Sequence, residues 1–282
     1  MRADADVDFT FAAVDVKSGE VDLGAACGNM TAAVGPWAVD EGIVGLSEAD
    51  LKECDKADMD DAEKRATVRI FNTNTSKIIH ATFPVVLVSI NGSLRMMASS
   101  TGDFRMDGVS GTAAPVQLEF LHPAGSKTGR LLPTGNVTDI VDDTECTLID
   151  VGNPAVFIDA SAIQDLPPLH CVTPDTIAST PGLLARLECL RSQAAVMMGI
   201  STSPATAPIG YPKISLISTA PEHGGHDVIV RSMSVGQPHK AIPITSALAV
   251  AAAAELKGSV VNKMASESRI AAEGLTVSYH AP

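Results

Sequence analysis

Aromatic residues are scarce in this chain: one Trp, two Tyr and seven Phe among 282 residues. Its cores must therefore be built from Val, Ile, Leu, Ala and Met. Basic charge is also short, with 20 Lys and Arg against 33 Asp and Glu, for a net charge of −13. No run of Lys and Arg could track a phosphate backbone, which argues against nucleic acid as a partner. The same acidic surplus repels an anionic ligand at long range, so any carboxylate pocket must rely on backbone dipoles and a few near charges. Long apolar runs are missing too. The charge-free stretch Ala241 to Ala254 falls short of the about 20 residues a bilayer span needs and suits a buried helix. No membrane role is expected. The start, Met1 to Asp6, is acidic and lacks the apolar core of a secretory leader. Cysteine is sparse and odd in number: Cys27, Cys54, Cys146, Cys171 and Cys189, with no CxxC and no metal-clamp spacing. A reducing, cytoplasmic setting fits that usage.

The composition that is present, 45% apolar, suffices for two cores. Val7 to Val16 has strand composition. Thr67 to Asn72 and Lys77 to Val88 read as a hairpin around Thr73–Ser76, and Val116 to Leu121 as a further strand. Glu48 to Lys64 reads as an acidic connector or surface helix. After a break at Asp139 to Glu145, strands are expected at Thr147–Val151 and Ala155–Asp159, joined by Gly152-Asn153-Pro154. Leu166 to Pro174 reads as loop. Thr180-Pro181 reads as the N-cap and first residue of a helix whose Leu183, Leu184, Leu187, Leu190, Ala194, Met197 and Met198, at helical spacing, form a core face. Strands return at Lys213–Thr219 and Asp227–Ser234, and a small-residue helix runs from about Ile244 to Leu256.

The two halves rhyme. Each places strands around one apolar, Ala-rich helix led by a Gly-containing loop, Gly24–Gly28 in the first and Ser234–Pro238 in the second. A helix apolar all round needs cover on every side. The expected fold is α+β, with two pseudo-duplicated domains, residues 1–143 and 144–282, each a curved, mostly antiparallel sheet wrapped around a central helix.

Cys27-Gly28-Asn29 stands where the first such helix should begin. A thiol there meets free backbone N–H groups and the positive end of the helix dipole, a setting that favours thiolates and anions. The plain alternative is a structural cysteine after a turn. His223-Gly224-Gly225-His226 superficially suggests a metal pair, but its Gly-Gly centre marks a turn and no third ligand is near, so no metal is expected.

Five stretches together resemble the PrpF family of 2-methylaconitate cis–trans isomerase and its relatives: GAACGNMTAAVGPWAVDEGIV, TGDFRMDGVSGTAAPVQLEFLHPAG, LLPTGN, DVGNPAVFI and VRSMSVGQPHKAIPITSALAVAAAAEL. The resemblance implies a diaminopimelate-epimerase-like fold with the active site in the cleft between its domains. It also implies cofactor-free isomerisation of small unsaturated di- and tricarboxylates such as aconitate or methylaconitate. Relatives carry an upstream segment with lysine-bearing motifs that do not occur here, and a polar turn is altered at Arg269–Leu275. The chain is thus identified as an N-terminally truncated or divergent member, its first domain incomplete.

Moving a double bond in such an acid needs a base, a returned proton and stabilised negative charge. Cys27 is the candidate acid–base residue. Gly28 allows close backbone approach, and Asn29 can hydrogen-bond a carboxylate. His239, ahead of the second helix, either binds substrate or transfers the second proton. Ser234 and Gly236 could offer donors, though their loop could equally be a tight turn. Asn153 could face the substrate or merely shape the turn before Pro154. The alternative function is a catalytically impaired carboxylate-binding or interaction protein of the same descent. An open sheet edge would invite pairing with another chain, giving a homodimer.

Overall fold

The computed structural model describes residues 2–14, 19, 21–53, 64–106, 109–164, 166–221 and 226–265. The strands and helices begin with β1 (Val7–Phe9), β2 (Ala13–Val14), β3 (Val21–Asp22), α1 (Gly28–Asp40), β4 (Leu51–Glu53), β5 (Lys64–Asn72) and β6 (Lys77–Ile90). There follow β7 (Ser93–Ala98), β8 (Gln117–Phe120), β9 (Asp139–Val141), β10 (Thr144–Val151), β11 (Asn153–Asp159), α2 (Pro174–Ser179) and α3 (Leu183–Met197). The last are β12 (Lys213–Thr219), β13 (Val228–Ser234), β14 (Gln237–Pro238), α4 (Ile244–Glu255) and α5 (Val260–Met264). This is the α+β mixture expected, with few helices and several sheets.

Two compact units result. One comprises Met1–Phe11 and Cys27–His122, the other Ala12–Ala26 and Pro123–Pro282. The division therefore falls after His122 rather than at residue 143, and 12–26 belong with the second unit. Hydrogen bonds explain both shifts. Gly125 N–H donates to Asp150 O at 2.8 Å and Gly152 N–H to Pro123 O at 2.9 Å, tying 123–125 to the second sheet. Ala26 is tied to Asn153 in the same way.

In the first unit the sheet order is β1-β5-β6-β7, with β4 also on β5 and β8 also on β6. β1 runs parallel to β5, whereas β4, β6, β7 and β8 pair antiparallel. Along β5, Ala66, Val68, Ile70 and Asn72 are buried while the residues between them are not, the period-two signature of a sheet covered on one face. α1 lies on that face. Gly35 permits the close approach: a Cβ there would sit 2.9 Å from Phe83 Cε1 and 3.0 Å from Ala81 Cβ. The helix is not covered all round, contrary to its apolar composition. Met30 and Trp37 remain more than half exposed. Val7 to Val16 is not one strand either; it breaks into β1 and β2 around Thr10–Ala12, where Phe11 N–H donates to Asn74 Oδ1 at 2.8 Å. The acidic segment opens with a short 3-10 helix, Glu48–Asp50, after which Leu51–Glu53 adds a strand antiparallel to β5. Residues 54–63, Cys54 among them, lie outside the described residues.

The second unit's sheet has the order β14-β13-β12-β11-β10-β9. Its central strands β10, β11 and β12 are buried on both faces. On one, Leu148, Val156, Ile158, Ile214 and Leu216 pack with Leu183, Leu187, Leu190 and Ala194 of α3. On the other, Ile149, Val151, Phe157 and Ile217 pack with Ala249, Val250 and Ala253 of α4 and with Val260 and Val261 of α5. Each such buried aliphatic or aromatic side chain contributes about 1.5–3 kcal/mol relative to exposure. Thr180-Pro181 does not start α3. Thr180 closes α2, its N–H and Oγ1 both donating to Thr176 O, at 3.0 and 2.7 Å. The earlier Thr173-Pro174 is the true helix start, with Thr173 Oγ1 accepting from Thr176 N–H at 3.1 Å. The expected loop Leu166–Pro174 accordingly ends in the first residue of α2 and holds a short 3-10 turn, Leu169–Cys171.

Filling the contact under α1 tests this packing. Gly35→Val should destabilise the fold by about 1–3 kcal/mol in urea unfolding, because the branched side chain must displace Phe83 and Ala81. Gly45→Ala, at a position with open space, should stay within about 0.5 kcal/mol of the parent.

Candidate active site

Helix α1 begins where the sequence places it. Cys27 is its N-cap, with φ −114° and ψ 102°, and makes no side-chain cap bond. Its carbonyl accepts from Thr31 N–H at 3.1 Å and from Thr31 Oγ1 at 2.8 Å. The half-buried sulfur is in no disulfide. No acidic residue occupies the first turn, so nothing of the helix's own neutralises its positive end. Gly28 is buried behind the sulfur's backbone, and Asn29 is exposed.

The segment leading into Cys27 is built tightly within the second unit. Asp22 Oδ1 accepts from Gly24 N–H at 2.6 Å. Gly24 lies against Tyr211, where a Cβ would come within 2.4 Å of the ring. The Lys127 ammonium lies 5.4 Å from the Tyr211 ring centroid. Burial holds Lys127 below its ordinary value, opposed by the charges of Asp22 and Asp150. Its loop is fixed by the fully buried Asp150 carboxylate, which accepts from Ser126 Oγ at 2.5 Å, Lys127 N–H at 2.8 Å, and Thr128 N–H and Oγ1 at 2.7 and 2.9 Å.

Asn153 is not free to face a ligand. Its Nδ2 donates to Ala26 O at 2.8 Å and to Thr245 Oγ1 at 3.0 Å, while Oδ1 accepts from Ala26 N–H at 3.0 Å. Both N–H bonds and one acceptor site are spent, and the residue is 2% exposed. Asn153 therefore joins the residue preceding Cys27 to the first turn of α4 instead of presenting its amide to substrate.

Ser234 ends β13 opposite Gln237, and Gly236 is the second residue of the two-residue hairpin loop Val235-Gly236. Val235 at φ 52° and Gly236 at φ 69° are both left-handed, which a Gly tolerates and a Val resists at a cost of about 1–2 kcal/mol. His239 follows, half-buried. Its N–H donates to Ser232 O at 2.8 Å, and its Nδ1 accepts from Ala241 N–H at 3.2 Å. Burial lowers its pKa, as does the Lys213 charge, while the Ala241 contact acts the other way. In the neutral ring the occupied Nδ1 leaves the proton on Nε2, so His239 is a hydrogen-bond donor rather than a base.

Ser246 gave no sequence signal. It stands in the first turn of α4, is 2% exposed, and its Oγ has no partner among the described residues. Helix α4 likewise has no acidic residue in its first turn. Other polar residues are committed elsewhere. Thr134 Oγ1 and Asn136 Nδ2 both donate to Asp139, at 2.7 and 2.9 Å. Arg231 Nε donates to Val172 O at 2.7 Å. Cys146 is buried, and burial first, then Asp139 and Glu145, push its thiol up to about 12. Cys171 and Cys189 are exposed. His223 lies outside the described residues. Among the described residues no group of three or more His, Cys, Asp or Glu is arranged to hold a metal, and no helix is long and apolar enough to cross a membrane.

The PrpF protein family model matches residues 1–276. The chain belongs to the PrpF family. Among its relatives, the 3-methylitaconate isomerase of Eubacterium barkeri is 33% identical, over 93% of this chain and 67% of the relative. The 4-oxalomesaconate tautomerase of Pseudomonas putida is 36% identical, over 95% of this chain and 65% of the relative. A crystal structure of methylitaconate-delta-isomerase superposes with a TM-score of 0.69 at 31% identity, covering 94% of this chain and 67% of that one. The chain thus spans about two thirds of the length of the PrpF relatives it matches.

The Asn153 bridge can be tested by truncation. Asn153→Ala should cost at least about 1–3 kcal/mol in thermal or urea unfolding, because the buried main-chain groups of Ala26 lose their partner.

Proposed function

We propose that this protein is a cofactor-independent isomerase of small unsaturated di- or tricarboxylates, with Cys27 as its acid–base residue. The observation that carries this reading is a free, half-buried cysteine at the N-cap of an acid-free helix start, in a PrpF-family chain. Relatives named as isomerases of methylitaconate and 2-methyl-aconitate and as a tautomerase of 4-oxalomesaconate support the substrate class.

In this mechanism the Cys27 thiolate takes a proton from a carbon beside the double bond. The C–H electron pair spreads through the conjugated carboxylate. A proton returned at the far end of the allylic system moves the double bond, and the thiolate is regenerated. Backbone N–H groups at the start of α1 favour the negative charge that the thiolate carries beforehand. Gly28 keeps side-chain bulk away from the sulfur, and Asn29 is a carboxylate donor. His239, through Nε2–H, donates to a substrate carboxylate. Ser234 and Gly236 shape the turn that precedes His239, and Asn153 positions the segment entering Cys27.

Solvent exchange tests the chemistry on several acids in parallel. In D2O, cis-aconitate, trans-aconitate and their methylated analogues are incubated with the protein and followed by NMR. At least one acid should take up deuterium, and Cys27→Ser should slow that uptake by at least about 100-fold, in the range by which a general acid–base group accelerates proton transfer. If no acid exchanges with the folded parent protein, the isomerase reading fails.

Ser246→Ala should raise the melting temperature, since a lone buried hydroxyl costs about 1–3 kcal/mol. A lower melting temperature in thermal unfolding would show that this hydroxyl is no net cost to the fold.

A further inference from the structure

Asn72 is the last residue of β5, and its side chain is 0% exposed. Its Oδ1 accepts from Thr75 N–H and Thr75 Oγ1, both at 3.0 Å, which fixes the amide's orientation. Its Nδ2 has no partner among the described residues. A buried donor left unpaired costs about 1–3 kcal/mol, so it demands a reason.

The face that this side chain occupies follows from register. Asn72 shares a sheet face with Val68 and Ile70, the face under α1. Gly35 of α1 lies over Val68 and Ala81. The far end of α1 is anchored by Asp40 Oδ1, which accepts from Ala98 N–H at 2.8 Å. Ala98 pairs with Val85, next to Pro84, which in turn opposes Arg65 at the start of β5. α1 therefore runs toward the beginning of β5, and its N-terminus lies over the end where Asn72 stands. The lengths agree. From Val68 to Asn72 is four strand residues, about 13 Å. From Gly35 back to Cys27 is eight helical residues, about 12 Å.

Among the described residues the charges at this end of the sheet are few. Lys77 opposes Asn72 directly and so shares its face. Asp8 opposes Phe71 in register and falls on the other face, and Arg69, also on that face, pairs with Asp6 at 2.6 Å. The first turn of α1 holds no acid. The buried amide donor adds to the helix's positive end.

We infer that Asn72 is a positioning residue for Cys27, its side-chain N–H group held toward the first turn of α1 to favour negative charge on the sulfur. This rests on the acid–base role proposed for Cys27, and Asn72 itself touches no reacting atom.

The test reads the thiol directly. The full chain is alkylated with iodoacetamide across a pH series, and modification of Cys27 is quantified by peptide mass spectrometry. Cys146 stays silent below pH 9 because burial holds its thiol at about 12. The exposed Cys171 and Cys189 serve as internal references whose profiles should not move. Asn72→Asp should shift the Cys27 midpoint up by at least about one pH unit, the scale of a nearby like charge. Asn72→Leu, of similar volume without the donor, should shift it in the same direction by less. Where an acid exchanges, kcat should fall with the shift while KM stays within about twofold. An unmoved Cys27 midpoint in the folded Asn72→Leu variant overturns the inference, and that variant alone decides if Asn72→Asp does not fold. Because alkylation needs no turnover, its failure is distinct from failure of the exchange assay.

Discussion

The amide of Asn153 is the constraint on which the rest of the second unit's candidate machinery depends. One side chain grips both main-chain groups of Ala26 and the hydroxyl of Thr245. It does so from the first residue of β11, immediately after the Gly152 turn, so its position is set by the paired strands β10 and β11. A strand turn, a helix start and the peptide before the candidate acid–base cysteine are thereby held by three hydrogen bonds that water cannot reach. Without them, Ala26 would carry buried, unpaired backbone groups, a situation that folded chains avoid.

Around this bridge, the arrangement favours negative charge without drawing on net positive charge. The chain carries −13 overall, yet both α1 and α4 start without an acidic residue in the first turn. Helix dipoles and oriented N–H groups are short-range, which suits an acidic protein: they act within the first turn, while the global field acts farther out. Each helix start is also associated with a buried donor that has no partner among the described residues, Asn72 Nδ2 for α1 and Ser246 Oγ for α4. His239 fits the same pattern. Burial, with the Lys213 charge, lowers its pKa, and in the neutral ring the occupied Nδ1 leaves Nε2–H as a donor.

Several expectations failed where two sequence signals competed. Thr180-Pro181 and Thr173-Pro174 carry the same start signal seven positions apart, and only the latter can form a capping box, because Thr176 lies three residues on. Asn153 was readable as a turn residue and as a ligand donor; neither reading foresaw that its partners would be Ala26 and Thr245, far away in sequence. Asn72 reads from sequence as one more residue of a strand. Its significance arises from the alternation that turns it inward and from a hydroxyl at Thr75 that takes its acceptor and leaves its donors over.

The sequence by itself determined the α+β class, most strand positions, the start of α1 at Cys27 and the family. Those properties are local: alternation, a small-residue helix and an ordered set of motifs survive in a linear reading. Tertiary structure decided which residues share the second unit with 123–265, why Met30 and Trp37 stay exposed on an apolar helix, and which polar groups are spent. Those depend on pairing between residues far apart in the chain, and hydrogen-bond capacity is exhausted by partners that no local pattern encodes.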